Sequence, residues 1–287
     1  MELSAASKPW TRRAALLGAA GVSACGGPRR PRFDPPTTLA AAVAGAWREP
    51  MDRARDPWRH PLESLTFWGL KPGQSVLEFW PGAGWYSDIL APFLAATGGK
   101  LYAANIEAND PASLRTLEAY RQHLAAQPKL FGMVTVSEFG ARSRHPAPAG
   151  TIDLALFLRN LHNWMAAGIA EKAFRDAFVA LKPGGFLGVE EHRAAPGGVQ
   201  DVLASDGYVQ QAYVVQMAQE AGFKLAASSE INANPADTKS HPFGVWTLPP
   251  IGRSSPRGQP DDPTFDHKPF DVIGESDRMT LRFQKPA

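Results

Sequence analysis

From Ser75 to the C-terminus, short apolar runs alternate with longer stretches in which apolar residues recur every three or four positions. The runs "SVLEF", "KLYAANI", "MVTVSEF", "IDLALFLRN", "FLGVEEH", "FKLAASSEI" and "RMTLRFQK" predict strands. "IDLALFLRN" is continuous rather than alternating, as in a strand covered on both faces. Helices are predicted between them. "WYSDILAPFLAAT" follows a glycine turn, with Pro92 kinking it or marking a late start. "LRTLEAYRQHLA" sets Leu114, Leu117, Tyr120 and Leu124 on one face, and "AEKAFRDAFVAL" carries a stripe of Phe174, Ala177, Phe178 and Leu181 before the turn "KPGG". "GYVQQAYVVQMAQEAG" closes at Gly222, as helices often close on glycine. Such alternation predicts a parallel sheet flanked by helices on both faces.

The pattern changes outside this region. Residues 37–74 predict a helical or irregular lead-in: "TTLAAAVAGAW" is a short helix capped by Thr37 or Thr38, and the aromatic, arginine-bearing stretch after it is interrupted by prolines. The domain proper spans 75–287, and before its last strand lies a proline-rich insertion, 232–272, too long for a plain hairpin. Residues 1–25 predict an export signal: "KPWTRR" is basic, "AALLGAAGV" is an apolar run too short to span a bilayer, and Arg12 and Arg13 form a twin-arginine pair. "VSACG" resembles a lipoprotein processing box, with Cys25 as the residue to be lipidated. A functional signal would place the protein at the cell envelope, in the periplasm or attached to the membrane through Cys25; without one it stays in the cytoplasm. Residues 26–36, rich in Gly, Pro and Arg, read as a linker.

Composition narrows the function. The 287 residues are 44% apolar, which excludes a disordered chain, and the formal charge of +2 is carried by the leader, where Lys8, Arg12 and Arg13 face only Glu2. A neutral body argues against nucleic acid as a partner. One cysteine excludes an internal disulfide. No G-x-S-x-G elbow, H-E-x-x-H helix, paired-cysteine metal site or phosphate-binding loop occurs, so no metal ligand set is expected.

The ordered set "VLEFWPGAGWYSDIL", "IDLALFLRNLHNW", "LKPGGFLGVEEH" and "EAGFKL" resembles the class I S-adenosylmethionine-dependent methyltransferases over residues 65–286. With "VWTLPP" and "GESDRMTLRFQKP" it resembles, more narrowly, a bacterial group of predicted methyltransferases of unestablished substrate. The resemblance implies a Rossmann-like seven-stranded fold, mostly parallel with an antiparallel last strand, and S-adenosyl-L-methionine as cofactor. It also implies cofactor contacts at Glu78, Pro81, Gly82, Gly84, Arg159 and Asn160, and a ribose site at Asn105 shared with Glu107. Glu138 would lie near the adenine. Gly82 and Gly84 suit a backbone that must approach a ligand closely. Trp80 stands where the family keeps its first glycine.

His162, Asn163 and His192 are the catalytic candidates, because they follow strands at the carboxyl edge where open α/β sheets bind ligands and because imidazole titrates near neutrality. Glu190, Glu191 and Arg193 share that edge, and "DPWRHP" and "SHPFGVWTLPP" are expected to wall an acceptor pocket. The expected activity is methyl transfer to a small-molecule or lipid-like acceptor. The alternative is a non-catalytic, envelope-anchored binding protein on the same scaffold, favoured by Trp80 and Asn105. A nicotinamide-dependent oxidoreductase fits less well, since the third glycine of the dinucleotide fingerprint is lacking.

Overall fold

The computed structural model describes residues 33–287; the predicted export signal, Cys25 and most of the predicted linker lie outside the described residues. The lead-in forms four short helices, α1 (Leu39–Val43), α2 (Pro50–Arg53), α3 (Asp56–Arg59) and α4 (Pro61–Trp68). Thr38 caps α1 by accepting a hydrogen bond from the Ala41 amide. Arg48, wholly buried, ties the segment together through a two-pronged pair with Asp56 and a bond to the Val43 carbonyl. β1 (Ser75–Phe79), α5 (Ser87–Thr97), β2 (Lys100–Ile106), α6 (Pro111–Ala126), α7 (Pro128–Phe131) and β3 (Thr135–Phe139) follow. The second half comprises β4 (Ile152–Leu158), α8 (Leu161–Ala166), α9 (Ala170–Ala180), β5 (Leu181–His192), α10 (Gln211–Glu220), β6 (Lys224–Ser229), α11 (Lys268–Asp271) and β7 (Arg278–Gln284).

These strands make one seven-stranded sheet in the order β3-β2-β1-β4-β5-β7-β6, parallel except for β7, which runs antiparallel between β5 and β6. This is the predicted Rossmann-like arrangement with a reversed last strand. Alternation along β1 sends Val76 to one face, packed with Leu65, Trp68 and Ile89, and Leu77 and Phe79 to the other, packed with Phe157, Trp164 and Phe174. Trp68 fits because Gly188 of β5 has no side chain: a Cβ there would lie 2.5 Å from the Trp68 ring. Its indole N–H donates to the Leu281 carbonyl of β7.

Two local expectations change. Leu114 is 43% exposed, whereas Leu117 and Tyr120 are buried, so α6 buries a narrower stripe than its pattern implies. "KPGG" is not a separate turn; β5 starts at Leu181, and the glycines are absorbed as a register shift between its pairing with Ile152 and with Leu154. The segment before β7 contains a short extended piece, Pro242–Val245, besides α11.

The register fixes where chemistry gathers. Leu158 pairs with Glu190, and Glu190, Glu191 and His192 pair with Thr280, Met279 and Arg278, so the carboxyl ends of β4 and β5 meet the start of β7.

Candidate functional site

Two cavities open along this edge and meet at Trp85 and Arg159, which line both. The smaller, about 180 Å³, lies over the β1 turn and is lined by Glu78, Trp80, Pro81, Gly82, Tyr86 and Asn160, among others. The larger, about 310 Å³, is lined by Arg55, Arg59, His162, Asn163, His192, Trp246, Leu248, Pro249, Glu275 and Arg278, among others.

In the smaller cavity Gly82 has φ +61, and a Cβ built on it meets nothing within 4 Å. That empty cradle is what a closely approaching ligand requires. Gly84, with φ +102, faces inward instead, toward Tyr120 and His123. Glu78 is buried and accepts from the Ser87 hydroxyl at 2.6 Å, while the Ser87 and Tyr120 hydroxyls share a bond of 2.8 Å. Burial raises its carboxyl pKa to about 7, with Asp88 adding to the rise and the Ser87 bond opposing it. Asn160 does not project freely; its amide donates to the carbonyls of Trp80 and Leu158, lacing the ends of β1 and β4 together.

Trp80 takes a left-handed φ of +47, a conformation costly for any residue with a side chain. Its amide donates to Ala104 of β2, and its indole N–H donates to the Phe139 carbonyl at the end of β3. Because adjacent strands lie about 4.8 Å apart and β2 separates β1 from β3, the ring crosses the carboxyl end of β2. The indole meets Trp164 edge to face at 6.0 Å. At that strand end Asn105 is fully buried, with its Oδ1 accepting from the Ile106 amide and its Nδ2 without a partner. Glu107 packs against Gly140 and accepts from the Arg142 amide, and Glu138 accepts from the Ala108 amide. Neither glutamate lines either cavity.

These residues fit an S-adenosylmethionine-like ligand in part. Gly82 offers backbone approach, Glu78 an acid, and the orphaned Asn105 Nδ2 a donor for a hydroxyl. The 180 Å³ cavity is below the roughly 300–1,000 Å³ usual for ligand sites.

The larger cavity holds the catalytic candidates together. His162 is buried, and its Nδ1–H donates to a Glu191 carboxylate oxygen at 2.8 Å. Glu191 also accepts from the Leu161 and His192 amides, which fixes the start of α8 against the end of β5. The His162 and His192 rings are 5.1 Å apart, and His192 shares a bond of 2.5 Å with the Ser276 hydroxyl. Burial, then His162 and the guanidiniums of Arg278, Arg159 and Arg59, push the His192 pKa well below its ordinary value and keep the ring neutral. His162, Glu191 and His192 place ligand-type atoms within 4.8 Å of one another, but the surrounding arginines oppose a divalent cation there. Both expected wall segments are present, Arg59 coming from "DPWRHP" and Val245 to Pro250 from "SHPFGVWTLPP". Arg193 points elsewhere, pairing with Glu230 and Asp277.

Arg55, Trp85, Glu275 and Arg278 were not named as site residues from the sequence, and Arg59 entered only as part of "DPWRHP". Trp85 is surrounded by the guanidiniums of Arg48, Arg55, Arg59 and Arg159, at 5.0–6.0 Å from its ring. The proline-flanked arginines of the lead-in were the available signal, but only the fold brings them to the sheet edge.

No protein-family model and no curated protein matches the sequence. Solved structures do match in fold. The [4+2]-cyclase SpnF superposes with a TM-score of 0.53 at 17% identity, over 87% of this chain and 92% of its own. A Bacillus halodurans protein provisionally assigned as a methyltransferase gives 0.52 at 16%, over 80% and 100%. A Galdieria sulphuraria protein provisionally assigned as a sarcosine dimethylglycine methyltransferase gives 0.53 at 14%, over 83% and 87%. The cyclase shows that this architecture also hosts other reactions. With its sheet order, reversed last strand and β1 glycine turn, the chain has the fold of the class I S-adenosylmethionine-dependent methyltransferases.

Proposed function

We propose that the protein is an S-adenosylmethionine-dependent methyltransferase acting on a small-molecule acceptor. The observation that carries this reading is the pair of adjoining cavities, one over the Glu78–Gly82 turn and one beside the His162–Glu191 pair, joined at Trp85 and Arg159. The sulfonium cofactor, when bound, supplies an activated methyl group. The chain's own task is then alignment and exclusion of water, with a base needed only if the acceptor must lose a proton. Glu78 and Gly82 would hold the amino acid end of the cofactor, and Asn105 the ribose. His162, oriented by Glu191, would take the acceptor's proton at Nε2, while Trp246, Leu248 and Pro249 keep water out.

Calorimetric titration of the purified protein with S-adenosylmethionine and its demethylated product tests this. Saturable binding, weakened by Glu78→Ala and by Gly82→Val, is expected. No binding of either compound below 1 mM overturns it. A second reading, a non-catalytic binding protein anchored at the cell envelope, is favoured by the indole reaching across the end of β2 to Phe139. It predicts that neither compound binds even when Trp80 is replaced by glycine.

A further inference from the structure

Arg59, Glu275, Arg278 and Arg159 of the larger cavity, with Glu190 buried beside it, form a chain with alternating signs. Arg159 Nη1 lies 3.4 Å from Glu190 Oε1, and Arg278 Nε lies 2.9 Å from that same oxygen. Arg278 Nη1 donates to Glu275 Oε2 at 2.7 Å, and Arg59 Nε donates to both Glu275 oxygens at 2.9 Å. The Tyr86 hydroxyl occupies the other Glu190 oxygen. The chain starts and ends on a guanidinium, so three cations share two carboxylates and one positive charge has no counter-charge within it.

The two open ends converge. Arg59 and Arg159 both sit over the Trp85 ring, at 5.0 and 5.9 Å, and both line the cavity. Among the described residues, the two terminal nitrogens of Arg59 and the Nε and Nη2 of Arg159 have no hydrogen-bond partner. Arg59 is 4% exposed, so its charge has largely lost its hydration. Burial and the nearness of Arg159 bring its pKa down to about 9 despite Glu275. Beyond these ends the walls are apolar, formed by Trp246, Leu248 and Pro249.

We infer that this cavity takes a ligand with an apolar body and an oxyanion, a carboxylate or a phosphate, seated between Arg59 and Arg159. The oxyanion closes the open chain into a charge-balanced ring, and guanidiniums suit it because each offers a planar pair of donors. On the functional reading above, which this inference deepens, the anchored ligand is the methyl acceptor, with its reacting atom held toward His162.

The test is calorimetric titration of the protein with benzoate and, separately, with inorganic phosphate, at low chloride, beside Arg59→Met, Arg159→Met and an exposed control, Arg175→Met. At least one anion should bind the parent and the control alike, and bind at least tenfold more weakly to each cavity variant. Benzoate alone assigns the site to carboxylates and phosphate alone to phosphate esters. The Arg159→Met protein, whose lost side chain is less deeply buried than that of Arg59, guards against misfolding; thermal melts of all four proteins identify a variant that has unfolded. Binding of neither anion, or equal binding by parent and cavity variants, overturns the inference. It is also overturned if the cavity substitutions weaken S-adenosylmethionine alone, because the guanidiniums would then serve the cofactor's own carboxylate. If an anion binds as described and S-adenosylmethionine does not, the anion site stands and the methyltransferase reading falls.

Discussion

Replacing Trp80 by glycine should tighten cofactor binding. On the proposed function, a ribose bound at Asn105 would meet the indole that crosses the end of β2, and two contacts hold the ring there. One is the N–H bond to the Phe139 carbonyl at 2.9 Å, and the other is the edge-to-face contact with Trp164 at 6.0 Å. A net hydrogen bond contributes about 1 kcal/mol and an aromatic pair about 1 kcal/mol. Opening the ring thus costs about 2 kcal/mol, which lowers apparent affinity about 30-fold. Glycine removes that cost and also the strain of φ +47, worth roughly 1–2 kcal/mol, which offsets part of the lost packing. Titration of parent and Trp80→Gly protein with S-adenosylmethionine and its demethylated product should therefore give a dissociation constant at least tenfold lower in the variant, with a thermal midpoint within a few degrees. Affinities within threefold of each other, or weaker binding by a variant of unchanged midpoint, would refute the picture of an indole lid.

Other expectations follow from single residues. The Glu78 carboxyl titrates near 7 when folded and near 4.5 when unfolded, so the folded state holds its proton more tightly; stability falls as pH rises through that window, by up to about 3 kcal/mol, and is level above it. Glu78→Gln should flatten this slope in urea melts at pH 4.5–8, and should also remove the gain in affinity for a cationic amino acid ligand between pH 6 and 8. Gly188→Ala drives a methyl group into the Trp68 ring and should cost about 1–3 kcal/mol, seen as a lowered midpoint in thermal melts. A C-terminally tagged chain should fractionate with the cell envelope, and Cys25→Ser should abolish membrane attachment; an entirely cytoplasmic pool of both forms would remove the export signal from consideration.

Much of the frame was legible because strand periodicity is a local property. β1, β4 and β5 read as apolar runs, and the turn after β1 announced itself by Gly82 and Gly84. The reversed last strand came from the resemblance and not from any residue pattern. The site was legible where its residues end strands, as with Glu78, Arg159, His162 and His192, since that edge is where such sheets bind ligands. It was not legible at Glu275 and Arg278, and at Arg59 only through the wall segment "DPWRHP"; their meeting depends on how α3 and the segment before β7 dock, and no local pattern encodes contact between residues so far apart. Asn105 shows the opposite limit. Its position at the end of β2 is readable from the chain, but its complete burial and its partnerless Nδ2 are not.

The bond from Arg59 to Glu275 joins residues 216 positions apart, and Trp68 reaches Leu281 across 213. At about 5–20 residues per second of synthesis, Arg59 leaves the ribosome roughly 10–40 s before its partner exists. The nascent chain therefore holds the other six strands, β1 to β6, with the arginine-lined wall still unmatched. Only when the final strand slides between β5 and β6 do the cavity's two halves acquire each other, so a chain shortened by its last dozen residues should lose the pocket while keeping most of the sheet.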